Sequence, residues 1–128
     1  MYAYFDGDNI GDSIELLLIN ANVKEATKLS AKLNDAISQL KEELNDKLDI
    51  EIILYGGDDL LIKYDDISDH LNIIQVARKN YFDCCGHYIS CGCGDTLNIA
   101  MENLRKAKLM GRNHFIFNNT VIHEVKGS

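Results

Sequence analysis

The chain has no proline, no low-complexity stretch and no apolar run long enough to span a bilayer. With no Pro- or Gly/Ser-rich linker and no internal repeat, the 128 residues read as one domain, residues 1–128. A chain of that length buries a core without disulfide or metal staples. The absence of a signal-like or membrane-spanning segment leads us to expect a cytoplasmic protein with no membrane contact. Basic residues are also scarce: 13 Lys and Arg face 20 Asp and Glu, a net charge of −7. That argues against a general DNA- or RNA-binding surface. It does not exclude a nucleotide whose phosphates meet a metal ion and a few local cations. The remaining composition, 46% hydrophobic and 26% charged, is ordinary for a globular protein.

Four cysteines are present, but not in the patterns that hold zinc. Cys84 and Cys85 are adjacent, and Cys91 and Cys93 are separated by one residue. Zinc knuckles space their cysteines by two to four residues. On a strand, Cys91 and Cys93 would share a face with Ile89, and Gly92 and Gly94 would face the other way. Reduced, buried thiols are therefore expected, with neither zinc nor a disulfide. His87 and His114 have no His or Cys partner at ligand spacing and are assigned no metal role.

What is present in abundance is acidic turns. Tyr55-Gly56-Gly57-Asp58-Asp59-Leu60 lies between two aliphatic runs, Ile50 to Tyr55 and Leu60 to Tyr64. A connection that short predicts a β-hairpin, with glycine where φ must be positive. Two carboxylates at a hairpin tip make a hard-oxygen site suited to Mg²⁺ or Mn²⁺. Taken alone, the same stretch also reads as a polar turn.

A second acidic turn favours the metal reading. Tyr2-Ala3-Tyr4-Phe5 is a short aromatic strand running into Asp6-Gly7-Asp8-Asn9-Ile10-Gly11-Asp12. Alternation puts Tyr2, Tyr4 and Asp6 on one face and Ala3, Phe5 and Gly7 on the other. Asp6 thus closes a strand, and Gly7 and Gly11 let the backbone turn close to a ligand. Asp12-Ser13-Ile14-Glu15 is read as a capping box opening a helix, whose N-terminal amides suit a phosphate.

A third element is Ala107-Lys108-Leu109-Met110-Gly111-Arg112-Asn113. Leu97, Met101 and Leu104 recur at helical spacing, and Lys108 falls next on that stripe, its ammonium directed along the packed face. Gly111 is the expected helix stop. Lys108 and Arg112 beside a helix end can hold a triphosphate; they equally complement the helix dipole.

Between these motifs, Ile14, Leu17, Leu18 and Ala21 mark a short helix. Ala26, Leu29, Leu33, Ile37, Leu40, Leu44 and Leu48 mark a long one. Ile73, Ile74, Ala77 and Tyr81 mark a third helix, and residues 87–94 a strand. Asp95 or Thr96 caps a fourth helix. Phe115-Ile116-Phe117 and Val121-Ile122-His123 read as a hairpin around Asn118-Asn119.

The succession of Asp6-Gly7-Asp8-Asn9-Ile10-Gly11, Gly56-Gly57-Asp58-Asp59, Ser90-Cys91-Gly92-Cys93-Gly94 and Ala107-Lys108-x-x-Gly111-Arg112-Asn113 resembles the palm domain of the GGDEF and nucleotide cyclase superfamily. It is most similar to the palm of the large subunit of type III CRISPR effector complexes. A palm of about this length resembles the minimal CRISPR polymerase family. The resemblance covers almost the whole chain. Asp59 stands where diguanylate cyclases carry Glu, and Leu60 where they carry Phe, so guanine specificity is not carried over.

The resemblance implies an α+β, ferredoxin-like palm, an antiparallel sheet with helices on one face, bringing Asp6 close to Asp58 and Asp59. It implies a metal-dependent nucleotidyltransferase that condenses NTPs, ATP among them, into a cyclic di- or oligonucleotide with release of pyrophosphate. The product would serve antiviral signalling through a separate effector. Asp6, Asp58 and Asp59 would hold Mg²⁺ or Mn²⁺, with the Gly7 carbonyl as a further ligand. Backbone amides of Asp8, Asn9, Ile10 and Gly11 would cradle phosphates together with Lys108 and Arg112, while Gly56 and Gly57 leave room for the nucleotide. A homodimer or higher homo-oligomer is implied, with the Tyr88, Ser90 and Gly92 strand face near the nucleotide or the interface. Two alternatives stay open: a non-catalytic nucleotide sensor, and a palm subunit of a larger CRISPR-type assembly.

Overall fold

The computed structural model describes residues 1–121. The chain order is β1 (Tyr2–Gly7), α1 (Ile10–Ile19), α2 (Val23–Lys47), β2 (Ile50–Gly56), β3 (Asp59–Tyr64), α3 (His70–Cys85), β4 (Ile89–Gly94), α4 (Leu97–Leu109), β5 (Phe115–Phe117) and β6 (Thr120–Val121). The strands form one sheet in the order β2-β3-β1-β4-β5-β6. The first four strands with their two helical crossovers are the ferredoxin-like palm that the motifs imply.

Strand alternation builds the core. Ala3 and Phe5 of β1, Leu60 and Ile62 of β3, and Ile89, Cys91 and Cys93 of β4 bury one face of the sheet. The long α2 lays Leu33, Ile37, Leu40 and Leu44 on it, and α3 adds Ile74, Ala77 and Tyr81. Each fully buried side chain of this kind contributes roughly 1.5–3 kcal/mol. All four thiols are unpaired; Cys91 and Cys93 lie in this core, and the Tyr64 hydroxyl is 3.0 Å from Cys93 Sγ. Ile122 and His123, read as part of the terminal hairpin, lie outside the described residues. No described helix is long and apolar enough to cross a membrane.

Several local expectations are corrected. The sheet is mixed: β5 runs parallel to β4, because a strand reached through the helical crossover α4 returns in the same direction. The helices are not confined to one face. α4 packs on the side of β4 that carries Ser90, Gly92 and Gly94. A Cβ at Gly92 would fall on backbone atoms of Leu104 and Ala100, and one at Gly94 on Ile99. Two glycines thus let a helix backbone lie directly on the strand. For the same reason the buried stripe of α4 is Ala100, Asn103, Leu104 and Ala107, while Leu97 and Met101 remain exposed. The Ser90 and Gly92 face is therefore covered by α4, and Tyr88 stacks on Phe82 with ring centroids 4.4 Å apart. Finally, α1 begins at Ile10, two residues before the expected Asp12 cap. Asn9 stands at the N-cap with φ 58° and makes no side-chain cap bond, while Ser13 Oγ donates back to the Asn9 carbonyl.

Gly92→Ala should be costly, because backbone atoms cannot swing aside as a side-chain tip can. We expect a loss of about 1–3 kcal/mol or more in urea unfolding, with an unchanged m-value. Gly56→Ala, where a Cβ meets no atom within 4 Å, is the matched control and should change the midpoint little.

Candidate active site

β1 is the inner strand of the palm, flanked by β3 and β4. Its end places Asp6 directly opposite Asp59 on one side and Ser90 on the other. Gly57, with φ +60°, closes the hairpin so that Asp58 follows at the tip. The Gly7 amide donates to the Asp58 carbonyl at 3.0 Å, tying tip and strand end together. Gly7 is itself confined: a Cβ there would meet the Ile10 side chain, the Tyr81 hydroxyl and Asp58 Cβ.

This backbone framework brings Asp6, Asp58 and Asp59 into one cluster, with one carboxylate oxygen from each lying within 4.8 Å of the others. The electrostatics show the crowding. Asp59 is pushed up to about 7, first by the hydrogen bond it shares with Asp6, then by burial and by the charges of Asp6 and Asp58. Asp58 is also raised, by burial and then by the Asp6 charge. The Tyr4 phenol is raised by burial and by all three carboxylates. Such a set fits a hard divalent cation, whose charge would replace the shared proton.

Asp8 is placed differently. Its side chain is turned into the protein and is 5% exposed. It accepts from Ser90 Oγ at 2.9 and 3.0 Å, from the Asn113 amide at 2.9 Å and from Lys108 Nζ at 2.7 Å. The Asp8 amide, expected to face phosphate, donates to the Tyr88 carbonyl instead. Lys108 reaches back from the end of α4 and also donates to the Asp6 and Gly7 carbonyls, both at 3.0 Å; its ammonium is 3.2 Å from Asp6 Oδ2. In this ion-free geometry Lys108 faces the acidic turn, not an open phosphate site. Arg112 is exposed on the turn after α4 at φ 70°.

The amides of Ile10 and Gly11 precede the first intrahelical bond of α1, from the Ser13 amide to the Asn9 carbonyl. Beside them opens a cleft of about 220 Å³ between α1, α2 and the hairpin. Its walls include Gly11, Ile14, Ser30, Leu33, Asn34, Gly57 and Asp58. In the sequence, Ser30 and Asn34 read as ordinary polar positions on α2. Ser90 and Asn113 lie within motifs legible in the chain, but their hydrogen bonds to Asp8 depend on tertiary pairing.

The shared proton has a measurable consequence. Asp58 and Asp59 titrate above their unfolded value, so the native state holds more protons than the unfolded chain between pH about 4 and about 7. Stability should therefore fall as pH rises through that window in ion-free buffer. Adding Mg²⁺ or Mn²⁺ should raise the Tm more at pH 8 than at pH 5, read by differential scanning fluorimetry. An equal shift at both pH values would show that the cation does not displace this proton.

The minimal CRISPR polymerase domain family model matches residues 2–118. Among solved structures, a chain of the Csm1–Csm4 cassette crystallised in complex with cA4 superposes with a TM-score of 0.68 at 16% identity. That match covers 93% of this chain but 21% of the other, so the present chain spans about a fifth of that larger subunit. The active GGEEF domain of a diguanylate cyclase from Vibrio cholerae superposes with a TM-score of 0.60 at 16% identity, covering 93% of this chain and 82% of that one. No curated protein matches the chain. The palm fold shared with both structures and the acidic cluster at its strand ends point to nucleotide chemistry with a divalent metal, and the chain belongs to the minimal CRISPR polymerase domain family.

Proposed function

We propose that this domain is a metal-dependent nucleotidyltransferase that joins nucleoside triphosphates, with ATP as substrate, into a cyclic di- or oligonucleotide messenger for antiviral signalling. The observation that carries this reading is the convergence of Asp6, Asp58 and Asp59, with Asp58 also lining the cleft between α1 and α2. The choice of ATP and the defence role rest on the family relation alone.

In this reading a ribose hydroxyl oxygen bonds to the α-phosphorus of a second nucleotide. The bond from that phosphorus to the bridging oxygen breaks, pyrophosphate leaves, and the hydroxyl proton passes to solvent. Mg²⁺ or Mn²⁺, when bound, makes the hydroxyl more acidic and offsets charge on the leaving group. Asp6 and Asp59 hold the ion, Asp58 stands beside them, and the Gly7 carbonyl lies at the same turn. The Ile10 and Gly11 amides receive phosphate oxygens at the positive end of α1. Arg112, exposed on the turn after α4, keeps the phosphate role expected of its motif. The cleft walled by Ile14, Leu33, Ser30 and Asn34 takes the base: apolar sides for its faces, two polar groups for its edge. Two protomers presenting their hairpins to each other would supply the two reciprocal attacks of a cyclic dinucleotide.

The direct test is incubation with the four NTPs and Mg²⁺ or Mn²⁺, with products identified by mass spectrometry. Asp6→Ala and Asp59→Ala should each lower turnover by at least about 100-fold, since each removes a metal ligand. In ion-free buffer at pH 8 the same variants should melt no lower than wild type, because each relieves like-charge repulsion in the cluster. Wild-type turnover in either variant would refute the proposed site. Activity per chain should also rise with enzyme concentration around the dimer dissociation constant; proportional activity in samples that sediment only as monomer would eliminate the two-protomer arrangement.

A further inference from the structure

The second acid of the Asp6-Gly7-Asp8 turn stands apart from the first. Asp8 lies outside the group of carboxylates close enough to share an ion. Its two oxygens are directed at Ser90 Oγ, the Asn113 amide and Lys108 Nζ, all between 2.7 and 3.0 Å. Lys108 in turn has three protons and four oxygens within 3.2 Å: Asp8 Oδ1 and the carbonyls of Asp6 and Gly7 at 2.7–3.0 Å, and Asp6 Oδ2 at 3.2 Å. A tetrahedral ammonium held that way has one orientation, and so has the backbone it grips. Asn113 carries the arrangement further, since its side-chain oxygen accepts from the buried Arg78 at 3.3 Å while its amide donates to Asp8. Arg78 is fully buried and also donates to the Ile89 carbonyl at 2.8 Å, which anchors this side of the network to α3 and β4.

We propose that Asp8 is a positioning residue: held by Ser90 and Asn113, it fixes Lys108, and Lys108 acts as a built-in cation that clamps the Asp6–Gly7 backbone and so aims Asp6 at Asp58 and Asp59. This rests on the metal-site reading above and assigns Lys108 to the protein's own oxygens instead of to the substrate's phosphates. Three features single out this role. Asp8 is buried where a metal ligand would face the opening. Lys108 has no proton left over for a phosphate while its three bonds stand. Ser90, on the covered face of β4, pairs with Asp6 through the strand ladder and directs its hydroxyl to the Asp8 carboxylate.

The test uses the whole chain. Asp8→Asn, Ser90→Ala, Lys108→Met and the double variant Asp8→Asn/Lys108→Met are compared by Mn²⁺ titration with electron paramagnetic resonance, in the absence of nucleotide. The Lys108 ammonium is followed by ¹⁵N NMR of the lysine Nζ–H groups. We expect one slowly exchanging ammonium signal in wild type, absent in Lys108→Met and lost or broadened in Asp8→Asn and Ser90→Ala. Asp8→Asn and Ser90→Ala should bind Mn²⁺ at least about 10-fold more weakly while folded, the size typical of a residue that orients a metal ligand. In the Lys108→Met background, Asp8→Asn should add little, since it acts through the missing lysine. Ser90→Ala keeps every charge and so separates positioning from simple loss of a carboxylate. An equal loss from Asp8→Asn in both backgrounds would overturn the proposal, because Asp8 would then act on the ion itself. So would a wild type with no protected ammonium. A protected ammonium that depends on Asp8 and Ser90, in a wild type that binds no Mn²⁺, would support the clamp and refute the metal reading instead.

Discussion

Repulsion among three carboxylates is the constraint around which this palm is arranged. Asp6, Asp58 and Asp59 would separate if left to their side chains. They are held by main-chain features that those charges do not control: the Asp6–Asp59 pairing of β1 with β3, and the Gly7 amide on the Asp58 carbonyl. The core beneath, from Phe5 and Leu60 through Ile37 and Leu40, makes the ladder rigid. The protein answers the remaining repulsion with a proton. The hydrogen bond to Asp6, burial and the neighbouring charges raise Asp59, so a proton shared with Asp6 offsets part of that repulsion while no cation is bound.

The same site depends on glycines that never approach it. Gly92 and Gly94 lower α4 onto β4, and that depth decides where Lys108, one turn beyond Leu104, arrives at the Asp6–Gly7 turn. A helix raised by one methyl thickness would carry the ammonium off the two carbonyls it grips. Backbone packing on one side of the sheet thereby sets the geometry of a side-chain cluster at its end. This is a link from sequence to site that passes through no functional group.

Much of this was legible in the chain. The two acidic turns could be read because glycine and adjacent carboxylates between β-branched runs have few other uses, and Leu33, Ile37, Leu40 and Leu44 carry their helical period openly. What could not be read is what depends on distance through space. Asp8 and Asp6 look alike in a turn; only the pairing of β1 with β4 puts Ser90 under one of them. Leu97 and Met101 suggested the packed face of α4, yet Gly92 and Gly94 required smaller residues there, and Ala100 and Ala107 took the place. Asp12-Ser13 had the form of a cap, but the left-handed Asn9 had already started the helix. The phosphate role given to Lys108 followed from its position at a helix end; its three contacts to protein oxygens come from residues about a hundred positions away.

Charge balance explains why one ammonium is suited to this place and two would not be. Among the described residues, Lys108 is the cation in ion-pair contact with these carboxylates, meeting Asp6 and the buried Asp8 beside the clustered Asp58 and Asp59. Asp8 and Lys108 nearly cancel inside the protein, leaving the three clustered carboxylates. Once the shared proton is displaced, their hard oxygens face a divalent cation together. A second lysine in contact with the cluster would satisfy the carboxylates permanently and leave nothing to attract an ion. With no such lysine, the cluster would lack the clamp that holds Asp6 in register. Lys108 sits beside Asp8, where its charge is largely used, and meets Asp6 at both the carbonyl, 3.0 Å, and Oδ2, 3.2 Å, so it can hold the backbone while competing for one of the ligand's oxygens.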